Sequence, residues 1–260
     1  MEKIARVEHE FIMGSYWSRK VSNMREIYII GAGGFGREVQ WLIERINDMK
    51  PVWKIGGYID DNQTGIVNGH PIVGTVESFL HTYENFQKQI AVVCAIGNSK
   101  IRKKVIEKFS FVNWVEFPNL IDPSVLMSDR IHMGKGNIVC AGNILTVDIT
   151  LGDFNIINLD CTVGHDVEIR DFVTLYPSVN ISGAITLEPC VEIGTGAHII
   201  QGLSVGYESI IGAGSVVIRD VPAGCTAVGN PCRVIKCEKS IVEDSQDDCN
   251  CTGDKLLIKQ

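Results

Sequence analysis

Two short segments contain the residues whose types and spacing could do chemistry. Gly31-Ala-Gly33-Gly34-Phe35-Gly36 follows an apolar stretch and precedes a helix-like pattern, with the spacing G-x-G-x-x-G. Glycines at this spacing let a backbone turn tightly and approach a phosphate, which a helix N-terminus stabilises. Gly164-His165-Asp166 places an imidazole beside a carboxylate, a pair suited to proton transfer. The sequence therefore predicts a phosphate-bearing ligand at the first segment and acid–base chemistry at the second.

The elements around the glycine segment alternate between strand and helix patterns. Predicted strands are Glu26–Ile30, Lys54–Ile59, Ile90–Ile96 and Phe111–Glu116, and predicted helices are Gly36–Met49, Val76–Phe86 and Ser99–Phe109. Such alternation is typical of βαβ units and a parallel sheet. Only about 95 residues and four strands are available, too few for the two halves of a dinucleotide-binding fold. We expect a half-Rossmann domain that binds a single nucleoside diphosphate carrying a sugar.

Further polar residues follow the predicted strands of this domain. Asp60 and Asp61 follow the second strand, and Gly97 follows the third, with Lys100, Arg102, Lys103 and Lys104 close behind it. The carboxyl ends of parallel strands share one edge, where such folds bind ligands. We therefore expect the carboxylates, Gly97 and the basic side chains near the nucleotide.

A six-residue repeat begins near residue 121. Counted from Met133, fifteen consecutive hexads start with an aliphatic residue or Met, without an insertion, and the fifth position is also small or aliphatic. Two inward positions in six describe a solenoid with three short flat sides and about eighteen residues per coil. The segment Ile121 to Pro222 has 102 residues, enough for between five and six coils.

The phase of the repeat orients the histidine. In the hexad VGHDVE, Val163 and Val167 take the inward positions, so His165 projects outward. One coil later Gly183 lies above it, which leaves space for a substrate and offers a backbone N–H for an oxyanion. The sixth-position histidines, His132 and His198, are assigned to corners, and their offset from His165 is no multiple of a coil. A stacked metal cluster is not expected.

These motifs together resemble a known family. The combination comprises Tyr28–Gly36, Tyr58-Ile-Asp60-Asp61, Ala95-Ile-Gly97-Asn98, Gly164-His165-Asp166 and Gly229-Asn-Pro231-Cys232-Arg233, over about residues 25–236. It is similar to the hexapeptide-repeat acyltransferases with a left-handed parallel β-helix, and within them to bacterial sugar acetyltransferases of surface-polysaccharide and glycoprotein glycan pathways. The resemblance implies a homotrimer with acetyl-coenzyme A in the groove between neighbouring prisms. It also implies acetyl transfer to the amino group of a nucleotide-linked amino-deoxy sugar.

The resemblance also implies roles for individual positions. Nucleotide-sugar contacts are implied at Gly33, Gly34, Phe35, Asp60, Asp61 and Gly97; His165 is implied as the general base, with Asp166 raising its basicity; and cofactor contacts are expected at Thr174, Gly183, Thr195 and Ala213. Thr174 stands where some members carry a second histidine on the acetyl donor, and Cys232 stands where alanine is expected. No metal is expected, and because the thioester is already activated, no serine or cysteine nucleophile is required.

Three alternatives remain open from the sequence. The first is O-acetylation of sialic acid or a related sugar hydroxyl, and the second is a non-catalytic solenoid that binds nucleotide sugars. The third is an NAD-dependent oxidoreductase, which the shortness of the α/β domain disfavours.

Composition excludes other classes of function. The chain has 24 basic and 31 acidic side chains, a net charge of −7, and no basic stripe for nucleic acid. No apolar run approaches the roughly 18 residues of a membrane span, and the charged N-terminal residues do not form a secretory signal. We expect a cytoplasmic protein.

Cysteine use and the chain ends complete the expectations. Nine cysteines without a disulfide-like spacing predict reduced thiols, with Cys161 in the core. The pair Cys249 and Cys251 offers too few ligands for a metal site. We expect an N-terminal extension over 1–24, a nucleotide-sugar domain over 25–118, a β-helix domain over 119–236 and a loosely ordered tail over 237–260.

Overall fold

A six-stranded sheet and three helices form the N-terminal part of the computed structural model, which describes residues 24–84 and 88–238. Its elements are β1 (Arg25–Ile30), α1 (Gly34–Met49), β2 (Trp53–Ile59), β3 (Ile66–Val67), β4 (His70–Gly74), α2 (Val76–Tyr83), β5 (Ile90–Cys94), α3 (Ser99–Glu107) and β6 (Val115–Glu116). The strand order is β3-β4-β2-β1-β5-β6, and all pairs are parallel except β3 with β4. The carboxyl ends of β1, β2 and β5 therefore meet at one edge, as the sequence predicts.

The sheet departs from the predicted four strands in two places. The hairpin β3–β4 is additional; its turn is Asn68-Gly69, with both residues at positive φ, a sequence signal for a two-residue hairpin turn. The strand predicted over Phe111–Glu116 shortens to two residues, and the Phe111 side chain is fully exposed. The predicted end of the second helix, Asn85 and Phe86, lies outside the described residues.

Three parallel sheets form a solenoid, here called faces 1, 2 and 3. Face 1 contains Leu120–Ile121, Ile138–Val139, Ile156–Ile157, Thr174–Leu175, Glu192–Ile193, Ile210–Ile211 and Cys225–Val228, closed by the antiparallel strand Arg233–Cys237; face 2 contains Leu126–Met127, Ile144–Leu145, Thr162–Val163, Asn180–Ile181, His198–Ile199 and Val216–Val217; face 3 contains Ile131–Met133, Ile149–Leu151, Glu168–Ile169, Thr186–Leu187 and Ser204–Val205. Neighbouring strands pair one coil apart, as Thr162 does with Asn180. The predicted hexapeptide solenoid is confirmed.

The first and fifth positions of the hexads form the solenoid core, as predicted. Val163, Val167 and Cys161 are completely buried in it. From Gly136 to Gly214 the fourth position turns the corner in the left-handed region, with φ of 58° at Asp166 and 60° at Phe172. The sixth position lies within a strand and points outward, so the assignment of His132 and His198 to corners is wrong.

The α/β part packs on face 1. One apolar cluster joins Ile27 and Val39 of the N-terminal part to Ile138 and Ile156 of the solenoid. The corners between faces 3 and 1, and between faces 1 and 2, border this contact. The corner between faces 2 and 3 is on the far side of the coil from it.

Two cysteines depart from the expectation of reduced thiols. Cys225 and Cys237 face each other across the antiparallel pair that closes face 1, and they form a disulfide. The chain reversal after Val228 brings them together, and their spacing in the sequence does not reveal it. Cys161 is free and buried, as predicted, while Cys249 and Cys251 lie outside the described residues. Within the described ranges, no helix has the length and apolarity to cross a membrane.

Candidate active site

A cavity of about 270 Å³ opens at the carboxyl ends of β1 and β2. Its wall contains the predicted residues Asp60 and Asp61 together with Gly31 of the glycine segment. The remaining lining is Ile30, Ile59, Asn62, Val76, Ile96, Ile101 and Val105. Apolar walls with a few convergent carboxylates suit a flat, hydrogen-bonding group such as a base or ribose.

The glycine segment forms a tight turn beside this cavity. A Cβ on Gly36 would lie 2.0 Å from the Gly31 carbonyl oxygen, so this close approach requires glycine. Gly33 is the N-cap of α1 and makes no side-chain capping bond, and the first turn contains no acidic residue. Gly33 and Gly34 are exposed, whereas Phe35 is half-buried against the core. The turn therefore offers unpaired backbone N–H groups to an anion.

The two aspartates shape the loops around the cavity. Asp60 accepts hydrogen bonds from the backbone N–H groups of Ala32, at 2.7 Å, and Asn62, at 2.8 Å. Asp61 accepts from the Val76 N–H at 2.9 Å, at the start of α2. The hydrogen bond from Ala32 to Asp60 thus connects the glycine turn to the end of β2 and fixes two walls of the cavity relative to each other.

Three basic side chains of α3, Lys100, Arg102 and Lys103, contact the solenoid and do not line the cavity, so the expectation is wrong for these three. Lys100 pairs with Glu208 of the solenoid at 2.8 Å, and the Lys103 ammonium lies 5.8 Å from the Tyr207 ring centre. Arg102 is buried at the solenoid contact, and Lys104 is exposed. The helix directs Ile101 and Val105, one turn apart, to the cavity instead.

His165 lies at the corner between faces 2 and 3, with its side chain 52% exposed. Its Nδ1 is 2.7 Å from Asp166 Oδ2. Nε2 has no hydrogen-bond partner in the described part of the chain. An Nδ1–H donated to the carboxylate leaves an unprotonated Nε2 on the solvent side, which can accept a proton.

Gly183 packs directly against the imidazole from the next coil. A Cβ at this position would lie 2.6 Å from both Nε2 and Cε1 of His165. Within residues 24–84 and 88–238 the Gly183 N–H donates no hydrogen bond. The predicted stacking of Gly183 above His165 is thus present, with a backbone donor nearby.

Comparison with known proteins gives the family. Residues 26–109 match the family described as PglD N-terminal domain. The structure of the acetyltransferase domain of PglB from Neisseria gonorrhoeae in complex with acetyl coenzyme A is 32% identical, with a TM-score of 0.73, and covers 82% of this chain and 100% of that chain. The chain belongs to the hexapeptide-type sugar acetyltransferases. The predicted family and enzyme class, an acyltransferase, are confirmed at this level.

Two further N-acetyltransferases are similar to this chain. A histidine variant of perosamine N-acetyltransferase from Caulobacter crescentus, in complex with CoA and GDP-perosamine, is 28% identical with a TM-score of 0.73, over 81% of this chain and 97% of that one. The 2,3,4,5-tetrahydropyridine-2,6-dicarboxylate N-acetyltransferase of Staphylococcus aureus is 40% identical over 55 residues, 21% of this chain and 23% of that protein. The chain matches about a quarter of the length of the curated relatives.

The four residues predicted to contact acetyl-coenzyme A lie in three separate places. Gly183 lies beside His165, between faces 2 and 3. Thr195 and Ala213 are exposed and stacked one coil apart, between faces 1 and 2. Thr174 is buried on face 1, and its hydroxyl donates to the Gly97 carbonyl oxygen at 2.8 Å. One chain therefore does not bring these residues together.

Sequence reasoning missed the residues that join Gly97 to the solenoid. A Cβ on Gly97 would lie 3.8 Å from the Tyr176 hydroxyl, and that hydroxyl donates to Glu192 at 3.2 Å. Burial and the neighbouring Glu192 raise the pKa of Tyr176 to about 12, so the phenol stays protonated as a donor. Among the described residues, no group of three or more His, Cys, Asp or Glu side chains could hold a metal ion.

Proposed function

We propose that this protein transfers the acetyl group of acetyl-coenzyme A to the amino group of a nucleotide-linked amino-deoxy sugar, in bacterial surface-glycan biosynthesis. The observation that carries the proposal is the presence, in one chain, of the glycine-turn cavity with Asp60 and Asp61 and of the outward His165–Asp166 pair. The C. crescentus relative binds both CoA and GDP-perosamine, and the N. gonorrhoeae relative binds acetyl coenzyme A.

In this proposal the glycine turn binds the diphosphate of the nucleotide, and the cavity binds its ribose and base. The N–H groups at the start of α1, around Gly33 and Gly34, face the diphosphate. The apolar walls and Asp61 accommodate the ribose and base. Asp60 holds the turn through Ala32, and Gly97 continues the wall beyond Ile96. Phe35, half-buried beside the turn, supports it from the core side.

His165 acts as the general base. The sugar amine attacks the thioester carbonyl carbon, a C–N bond forms, and His165 Nε2 takes the proton that the amine loses. Asp166 stabilises the imidazolium through Nδ1, at 2.7 Å. The intermediate then collapses with cleavage of the C–S bond, and the proton passes to the departing thiolate. The Gly183 N–H, which donates no hydrogen bond elsewhere in the described chain, is suited to the oxyanion.

The distribution of the site residues favours a homotrimer. Face 2 lies between the corner that carries His165 and the corner that carries Tyr176, Thr195 and Ala213. Its outer surface has exposed apolar residues, with Leu126 at 64% and Ile144 at 41% exposure. Packing of three copies through face 2 around a threefold axis brings His165 of one copy beside Thr195 and Gly97 of the next. Acetyl-coenzyme A then lies in the groove between two copies.

A thiol-release assay with acetyl-coenzyme A tests the function. The panel contains UDP-, GDP- and dTDP-linked 4-amino-4,6-dideoxy sugars, the same sugars with a 4-hydroxyl group, and sialic acid. We expect rapid release with one amino sugar and none with its 4-hydroxyl counterpart. Release only with sialic acid or a hydroxyl sugar would show O-acetylation. Binding of a nucleotide sugar without any release would show a non-catalytic binding protein.

A further inference from the structure

Arg102 forms six hydrogen bonds at the contact between the two parts of the molecule. Its side chain is 1% exposed, the largest among the fully buried ones. The guanidinium donates to the carbonyl oxygens of Ile96 (2.7 Å) and Gly97 (2.9 Å) in the loop after β5, and to Phe154 O (2.9 Å), Phe172 O (2.8 Å), Val173 O (3.2 Å) and Thr174 Oγ1 (2.9 Å) in the solenoid. One planar group thus spans the loop and two successive coils.

Three further side chains reinforce this contact. The Thr174 hydroxyl accepts from Arg102 and donates to the Gly97 carbonyl oxygen, at 2.8 Å. Glu192 Oε1 accepts from the Ser99 N–H at 2.8 Å, at the start of α3. Ser99, Arg102, Thr174 and Glu192 are called the interdomain clamp below. The loop is therefore fixed to the solenoid at Gly97 and at Ser99.

The guanidinium is suited to fixing a geometry. All its N–H donors are occupied, and no carboxylate accepts from it within the described residues. Burial lowers the pKa of Arg102 to about 10, so the group stays charged at neutral pH. A buried charge is costly to desolvate, and a hydrophobic contact would hold two domains together at less cost. The directional bonds distinguish this contact from simple packing.

We propose that the interdomain clamp is a positioning device for acetyl transfer. It fixes the loop 96–98, which continues the wall of the nucleotide cavity from Ile96, relative to the solenoid that presents Thr195 at the adjoining corner. A sugar held by the α/β part is thereby placed relative to the acetyl donor held by the solenoid. The inference rests on the proposed function. Arg102 and Thr174 act through Gly97 and do not touch the reacting atoms.

Arg102→Lys and Thr174→Val test the proposal. Lysine keeps the charge and loses the planar fork, and valine removes one hydroxyl at nearly the same shape. We expect each variant to lower kcat by about tenfold or more, because small displacements of reacting groups are costly to rate. The Kd of the nucleoside diphosphate and the KM of acetyl-coenzyme A should change less than kcat does, because the glycine turn and Thr195 lie outside the clamp.

Asp122→Asn is the matched control. Asp122 receives two hydrogen bonds from Arg45 of α1, at 2.6 and 3.0 Å, in a second contact between the two parts, and it lies outside the nucleotide cavity. We expect this variant to lose thermal stability with kcat unchanged. Clamp variants that lose stability but keep the wild-type kcat would overturn the proposal. Thr174→Val decides the matter if Arg102→Lys does not fold.

Hydrogen exchange provides a readout that does not depend on turnover. We expect the amide of Ser99, which donates to Glu192, to exchange at least about tenfold faster in Thr174→Val, and to be unchanged in Asp122→Asn. Unchanged exchange in Thr174→Val would overturn the clamp. Wild-type protein that releases no thiol with any acceptor would instead refute the proposed function, while the exchange experiment would still decide the clamp.

Discussion

His165 and Arg102 occupy opposite environments: His165 lies at a free corner of the solenoid, and Arg102 of α3 is buried against another corner. The His165 side chain is 52% exposed and bonds only Asp166 within the described residues, whereas Arg102 is 1% exposed and donates to six oxygens. A group that must exchange a proton with a ligand needs an unoccupied atom. A group that must hold two segments in register needs every donor occupied. An exposed side chain with an unoccupied atom therefore indicates a reacting group, and a buried side chain with every donor occupied indicates a positioning group.

His165→Ala is expected to have the largest effect on activity. Loss of the base should reduce kcat by about 100-fold or more. Thermal stability should change by less than about 0.5 kcal/mol, since the side chain is largely exposed. Steady-state thiol release and thermal melting measure the two quantities. His132→Ala, an exposed histidine of face 3 away from both corners, is the control and should keep the wild-type rate. A His165→Ala protein with near-wild-type turnover would remove His165 from the mechanism.

Gly183→Ala tests the geometry of the same corner of the solenoid, where Gly183 lies against the His165 ring. The new Cβ would lie 2.6 Å from Nε2 of the imidazole, so the ring must shift away from its position. We expect kcat to fall by about tenfold to 100-fold, since the base no longer meets the amine in the required geometry. The double variant with His165→Ala should be no slower than His165→Ala alone, because both changes act through one group. Additive effects in this cycle would show that Gly183 acts independently of the ring.

The sequence predicts the solenoid and the orientation of His165 well, for a physical reason. A repeat of six with fixed inward positions determines where each side chain points, so Val163 and Val167 orient His165 between them. The fourth-position corner residues are less evident, since Asp166 and Phe172 occupy a left-handed conformation that is usual for glycine. A regular backbone imposes that conformation on any residue at this position.

The buried clamp could not be predicted from the same patterns. The segment Ser99–Glu107 has four basic residues among nine, and such a composition is typical of a solvated helix face. Yet Ser99, Arg102 and Ile106 share the buried side at helical spacing. The helical spacing of these three residues can be recognised in the sequence, but the partner of Arg102 cannot. Its acceptors are backbone carbonyl oxygens of two distant coils, including that of Phe172. Pairings of that kind have no signature in side-chain types.

We expect the smallest effect, a change in stability, when the pH is lowered and Asp122 loses its charge in the contact with Arg45. Burial alone would raise the pKa of Asp122, but the hydrogen bonds from Arg45 and Ser124 outweigh it and hold the pKa below its usual value. A carboxylate with a depressed pKa stabilises the fold above the unfolded pKa, about 3.9, and this contribution is lost as the pH falls through the folded pKa. Asp122→Asn should therefore destabilise the protein by about 1–2 kcal/mol at pH 7.

The difference between wild type and Asp122→Asn should shrink below about pH 4, as chemical denaturation at a series of pH values would show. Glu26→Gln is the control, because Glu26 pairs with Lys54 at 3.5 Å on an exposed surface, where such a pair contributes little. A difference that stays constant down to pH 3 would mean that Asp122 acts through its hydrogen bonds to Ser124 and not through its charge. The ion pair with Arg45 would then contribute little to the stability of the contact between the two parts.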